Sequence, residues 1–161
     1  MARRNQSAVA LRDQLVELLG SSHAHAGFDA AVRDLPPELR GKKPRGAEHT
    51  AWELLEHLRI AQWDILEFSR NPEHVSPAWP DGYWPKTPAP PDTAAWDKSV
   101  RRFRFDLKAM QKLVANPESG LFTPFAHGDG QTLLREALLL ADHNAYHVGQ
   151  LVLLRRLLGA W

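Results

Sequence analysis

Thr50-Ala51-Trp52-Glu53-Leu54-Leu55-Glu56-His57-Leu58-Arg59-Ile60-Ala61-Gln62-Trp63 is the stretch that decides the fold. Thr50 and Glu53 stand three residues apart as in a capping box, where hydroxyl and carboxylate each satisfy a backbone N–H that the first helical turn leaves free. Behind this start, Trp52, Leu55, Leu58, Ala61, Ile65 and Phe68 recur every three or four residues, with Leu54 flanking. That is the period of a helix with one buried face. The spacing predicts a helix from Thr50 to about Arg70.

Three other stretches repeat the period. Leu11, Leu15, Leu18 and Leu19 follow Ser7, the expected N-cap, and Gly20-Ser21-Ser22 is the expected break. A second piece, about 23–34, carries Phe28, Ala31 and Val32 and stops before Pro36-Pro37. A helix over about 93–115 lines up Trp96, Val100, Phe103, Leu107, Met110 and Val114, and ends at Asn116-Pro117. The last begins near Thr132, runs through Leu133, Ala137, Leu138 and Ala141 to Leu151, Leu154 and Leu158, and stops at Gly159. No segment alternates with the two-residue period of a strand. The expectation is one all-α domain over residues 1–161.

Between the second and third long helices, residues 71–92 hold seven of the twelve prolines together with Trp79, Tyr83 and Trp84. Proline at that density forbids regular helix, and a connection this long inside a compact domain usually serves function. The aromatic residues predict an ordered crossover packed on the bundle. Trp79, Tyr83 and Trp84 are therefore candidates for the wall or lid of a pocket.

Composition narrows the function classes. Twenty Lys and Arg stand against nineteen Asp and Glu, and the basic pairs are scattered, so there is no concentrated face of the kind that binds nucleic acid. Cysteine is absent, which removes disulfides, Cys-zinc sites and thiol nucleophiles. Neither a secretory h-region nor about 18 uninterrupted apolar residues is found, so a soluble cytoplasmic protein without a membrane partner is expected.

His143 and His147 carry the chemistry. Four residues apart on a helix, two imidazoles stack on one face with Cβ atoms about 5–6 Å apart, a spacing that suits two ligands of one ion. His57 is the best third candidate, because it lies in the row Leu54, His57, Ala61, Ile65 at the border of its helix's apolar stripe. A histidine there points into the bundle. Taken singly, each of these residues reads first as a hydrogen-bonded core imidazole; the pair together with an inward third reverses this and favours a metal. Zinc or nickel suits such donors best, with iron or manganese as further options. Zinc peptidases share the HxxxH spacing but place a Glu directly after the first His, where this chain has Asn144.

The segment quoted at the start and Asp142-His143-Asn144-Ala145-Tyr146-His147-Val148-Gly149-Gln150 resemble the two signature helices of the DinB-like superfamily of DinB/YfiT-like metalloenzymes. The resemblance covers nearly the whole chain. It implies a four-helix bundle, commonly a homodimer, with a divalent metal ion held by His57, His143 and His147. Members include transferases and an isomerase that use bacterial low-molecular-weight thiols.

Three readings follow. The first is a metal-dependent transferase acting with a small thiol, which this cysteine-free chain cannot supply, on a small-molecule substrate. The second is a hydrolase using hydroxide generated from water at the metal. The third is a non-catalytic bundle that binds a metal or small ligand. Glu53, Asp142 and Tyr146 are the acid–base or outer-contact candidates, and Gln150 a further pocket candidate. His49 and His127 are read as solvated loop residues, His23 and His25 as poorly spaced for joint ligation, and His74 as lacking an evident partner. Trp52, Trp63 and Trp96 are assigned to core or interface, and Arg155-Arg156 to a solvated face or dimer rim.

Overall fold

The computed structural model describes residues 2–20 and 24–161. Among the described residues there are five α-helices, α1 (Ala2–Gly20), α2 (Phe28–Val32), α3 (Ala51–Arg70), α4 (Thr93–Ala115) and α5 (Leu133–Leu157), and two short 3-10 turns, Pro37–Leu39 and Asp81–Tyr83. Among the described residues there is no strand, only an isolated antiparallel bridge between Pro124 and Thr132. No helix among them is long and apolar enough to cross a membrane.

Helices α3, α4 and α5 each begin where a cap places them. Thr50 Oγ1 accepts from Glu53 N at 3.2 Å while Glu53 Oε2 accepts from Thr50 N at 2.7 Å, the reciprocal pair expected of a capping box. Asp92 and Thr132 cap α4 and α5 by accepting from Ala95 N and Arg135 N. Gly159 takes a φ of 69° just after α5, a conformation that favours glycine and ends the helix.

Two boundaries differ from expectation. Ser7 lies inside α1, which already starts at Ala2, so it is not the cap. The residues ahead of it, Ala2-Arg3-Arg4-Asn5-Gln6, tolerate helix well, and propensity overrides a lone cap signal. The piece expected over 23–34 shrinks to Phe28–Val32, because Gly27 and Arg33 are both extended and Asp34 has a φ of 53°. Ser21 and Ser22, where the break was expected, and His23, at the expected start of the second piece, lie outside the described residues.

Packing joins α3 to both α4 and α5, and α1 to the same two helices, while α2 lies against α5. Two apolar clusters fill the interior. One gathers Val32, Leu35, Trp52, Leu55, Leu58, Trp96, Phe103, Val148, Leu151 and Leu154; the other gathers Leu15, Leu19, Ile65, Leu66, Met110, Val114, Leu133 and Leu140. On α3 and α5 these clusters leave a gap, around Gln62 to Asp64 and from Asp142 to His147. Polar side chains occupy it. Gln62 is fully buried there, donating to Phe103 O at 2.6 Å and accepting from Asn144 Nδ2 at 3.0 Å, so its burial carries no unpaired group.

Arg155 corrects the reading of the C-terminal basic pair. It is buried, and its guanidinium donates to the carbonyls of Ala30, Ala31, Arg33 and Ala160, tying α2 and the chain end to α5. Trp52 and Trp96 are core residues, while Trp63 is half-buried.

Candidate metal centre

His57 projects from the second turn of α3, and His143 and His147 from the middle of α5, where that helix crosses the polar gap. Nε2 of His57 lies 3.1 Å from Nε2 of His147 and 3.1 Å from Nε2 of His143. Among the described residues this is the cluster of His, Cys, Asp and Glu able to hold a metal ion. Zinc–imidazole bonds of about 2.0–2.1 Å in tetrahedral geometry set the donor nitrogens of one ion about 3.3–3.4 Å apart. The observed separations are close to that, so the donor set fits a divalent ion.

The tautomers agree with this. Nδ1 of His57 lies 3.0 Å from the carbonyl oxygen of Tyr83, which can only accept, so in the neutral ring Nδ1 carries the proton and Nε2 presents a lone pair. Nδ1 of His147 lies 2.7 Å from Oε1 of Gln150, which sets the same tautomer. Two lone pairs then face each other at 3.1 Å, an arrangement that a cation between them stabilises. His143 is less firmly held: its Nδ1 and Oδ1 of the adjacent Asn144 are both buried without a partner.

All three rings are biased toward the neutral form that binds metals. Burial pushes His57 down to about 4, against the bond to Tyr83 O and with help from His147 and His49. Burial likewise brings His143 to about 4, followed by its proximity to His147 and His57. His147 is lowered for the same first reason.

Residues 71–92 cover this cluster. Trp84 lies flat on His57 with ring centres 4.0 Å apart and planes 4° apart, and His49 stacks on Trp84 at 4.0 Å. Tyr83 O accepts from His57 Nδ1, and the Tyr83 hydroxyl donates to Oδ2 of Asp64 at 2.6 Å. His74 Nε2 meets Oδ1 of the same carboxylate at 2.7 Å. Further along, Thr50 Oγ1 donates to Pro88 O. The segment is thus fastened to α3 at several levels.

The sequence-derived candidates separate accordingly. Trp84, Tyr83 and Gln150 touch the histidines, and Tyr146 sets its exposed ring edge-on to His147 at 4.9 Å. Trp79 is 79% exposed and touches the site only through Tyr83. Glu53 is engaged in the cap of α3, and Asp142 is exposed. His127 bonds Phe68 O near the other end of α3, and His25 bonds the neighbouring Ala26 O. His74, expected to lack a partner, has Asp64. His49, expected to be a solvated loop residue, stacks on Trp84 beside the rings. Asp64 is not among the sequence-derived candidates; its seven-residue separation from His57, two turns on one helix face, is the signal that finds it.

A family model described as the DinB superfamily matches residues 22–151. The chain belongs to the DinB superfamily. The matched span includes α3, α4 and the three histidines, so the membership and the donor geometry concern the same part of the molecule. No curated protein and no solved structure gives a match.

Proposed function

We propose that this DinB-superfamily protein is a metal-dependent enzyme in which His57, His143 and His147 hold one divalent ion, zinc or nickel before iron or manganese, and that it transfers a low-molecular-weight thiol to a small electrophile. The observation that carries the metal is the convergence of three Nε2 atoms, two of which, on His57 and His147, belong to tautomers that leave lone pairs on the inside. When bound, a divalent ion supplies Lewis acidity that lowers the pKa of a thiol or water in contact with it.

The chain's own groups divide the remaining work. Tyr83 O and Gln150 Oε1 orient two of the imidazoles and keep their protons on the outer nitrogens. Trp84 shields His57 from solvent on one face, while Tyr146 at the rim offers an aromatic wall to a substrate. The thiol reading is favoured over hydrolysis by what surrounds the cluster. Glu53 is bound in its cap and Asp64 is shared by Tyr83 and His74, so neither of these carboxylates is a free base beside the three rings. A cytoplasmic location, where thiols are kept reduced, and assembly as a homodimer belong to the same proposal.

The test is metal content followed by turnover. Protein purified from zinc- or nickel-supplemented medium is expected to carry one ion per chain by elemental analysis, and His143→Ala to lose it. Loaded protein is then expected to accelerate consumption of a cysteine-derived thiol by a small aryl halide or epoxide. Metal bound without thiol consumption, together with hydrolysis of small esters or amides, would replace the transferase by the hydrolase; metal with neither activity leaves a binding protein. Well under one equivalent in the wild type, or full retention in the variant, overturns the site.

A further inference from the structure

α5 is apolar on two sides. Leu133, Ala137, Leu140, Val148, Leu151 and Leu154 face the core, yet Leu138, Leu139, Tyr146, Leu153 and Leu157 are all exposed on the opposite side. A helix apolar all round is ordinarily covered all round, and large exposed apolar faces mark interaction sites. Gly149 sits within this outer face. Mid-helix glycine is unfavourable relative to alanine, and here nothing in the chain requires it: a Cβ built at Gly149 meets no atom within 4 Å. What a missing side chain permits at an exposed helical position is close approach by another backbone.

The charges on the face identify the partner. Asp142 and Arg156 lie seven residues to either side of Gly149, nearly two turns each way, so they fall on the same side of the helix; both are exposed. A two-fold axis through Gly149 that brings a second α5 alongside in antiparallel direction carries each Asp142 onto the other copy's Arg156, twice over, and sets Tyr146 against Val152. The stripe is therefore complementary to itself, as an isologous contact requires.

We propose that the outward face of α5 binds a second copy of this chain, antiparallel, with Gly149 at the crossing and Asp142 of each copy opposite Arg156 of the other. This rests on the homodimer proposed above and assigns its surface. Because Tyr146 lies on the face and touches His147, the second copy borders the metal centre and narrows the approach to it.

Sedimentation equilibrium or light scattering over a range of concentrations tests it. The wild type is expected at twice the 18.2 kDa chain mass. Asp142→Arg and Arg156→Asp each place like charges together twice per dimer and are expected to raise the dissociation constant about tenfold or more. The double variant, which restores opposite charges with positions exchanged, is expected to recover most of the loss. Gly149→Leu, a good helix former, is expected to give a monomer with helicity unchanged by circular dichroism. A wild type at the single-chain mass overturns both the homodimer and its surface. A wild-type dimer whose double variant stays as weak as the single ones keeps the homodimer and overturns this surface, and the metal content of the same samples reports on the three-histidine site independently.

Discussion

Nδ1 of His57 donates to the carbonyl oxygen of Tyr83 at 3.0 Å, a bond between the middle of the bundle and the segment that covers it. The same Tyr83 is held at its other end by Asp64, which also receives His74. The orientation of one proposed ligand thus depends on a carboxylate two turns away. Partners of metal-bound imidazoles typically change metal affinity about 10–100-fold when removed. Tyr83→Phe keeps the carbonyl but frees the ring, so the loss belongs at the lower end, about tenfold; Asp64→Asn, which weakens both loop anchors, costs more. Competition with a chromophoric chelator measures it. Unchanged affinity in both variants would show that the His57–Tyr83 bond does not depend on this anchor.

Trp84 covers a face of His57, and burial is the first cause of that ring's depressed pKa of about 4. In Trp84→Ala the ring gains solvent, and its pKa in chelator-treated protein is expected to rise toward the ordinary 6.5. Imidazole proton shifts followed by NMR against pH give the value directly. A pKa still near 4 would mean that the helices alone desolvate His57.

Depressed histidine pKa values also fix a pH dependence. His57 and His143 ionise near 4 when folded and near 6.5 in the ordinary state, so between these limits the unfolded chain binds more protons than the folded one. Stability of chelator-treated protein is accordingly full above about 6.5 and falls as pH drops toward 4. For the same reason protons compete weakly for the donors near neutrality. Apparent metal affinity is expected to change little from pH 8 to about 6 and to collapse below 5. A tenfold loss between pH 8 and 6.5 would contradict buried, neutral imidazoles.

How much of this was legible in the sequence depends on the range of the interaction. The capping box at Thr50 and Glu53 and the period behind it are local, and they located α3 to the residue. The i,i+4 pair on α5 is local as well, so His143 and His147 were visible together. What bound residues 71–92 was not: the meeting of His74, Tyr83 and Asp64 needs the connection to fold back on α3, and no spacing within a proline-rich segment encodes that return. Arg155 misled for a related reason. An arginine in the last turn of a helix reads as solvated unless one knows that α2 and the residue after it bring three carbonyls to it.

Gln62 tests whether the polar gap between the two apolar clusters is held as a unit. Its side chain is fully buried and used at both ends, toward Phe103 O and Asn144 Nδ2. Gln62→Leu nearly preserves volume but leaves the Asn144 amide, whose Oδ1 already lacks a partner, with no acceptor for Nδ2. A buried donor left unmade costs about 1–3 kcal/mol, whereas replacing both partners by apolar groups can be close to neutral. Gln62→Leu alone is therefore expected to lower the unfolding free energy by about 1–3 kcal/mol, which for a chain of this size is roughly 2–4 °C in Tm per kcal/mol. Gln62→Leu with Asn144→Leu is expected to regain at least half of it. Denaturant titrations of the chelator-treated proteins compare the two. If the double variant loses the sum of the single losses, Gln62 and Asn144 do not act as a pair, and the order of the gap that carries His143 must come from the apolar layers on either side.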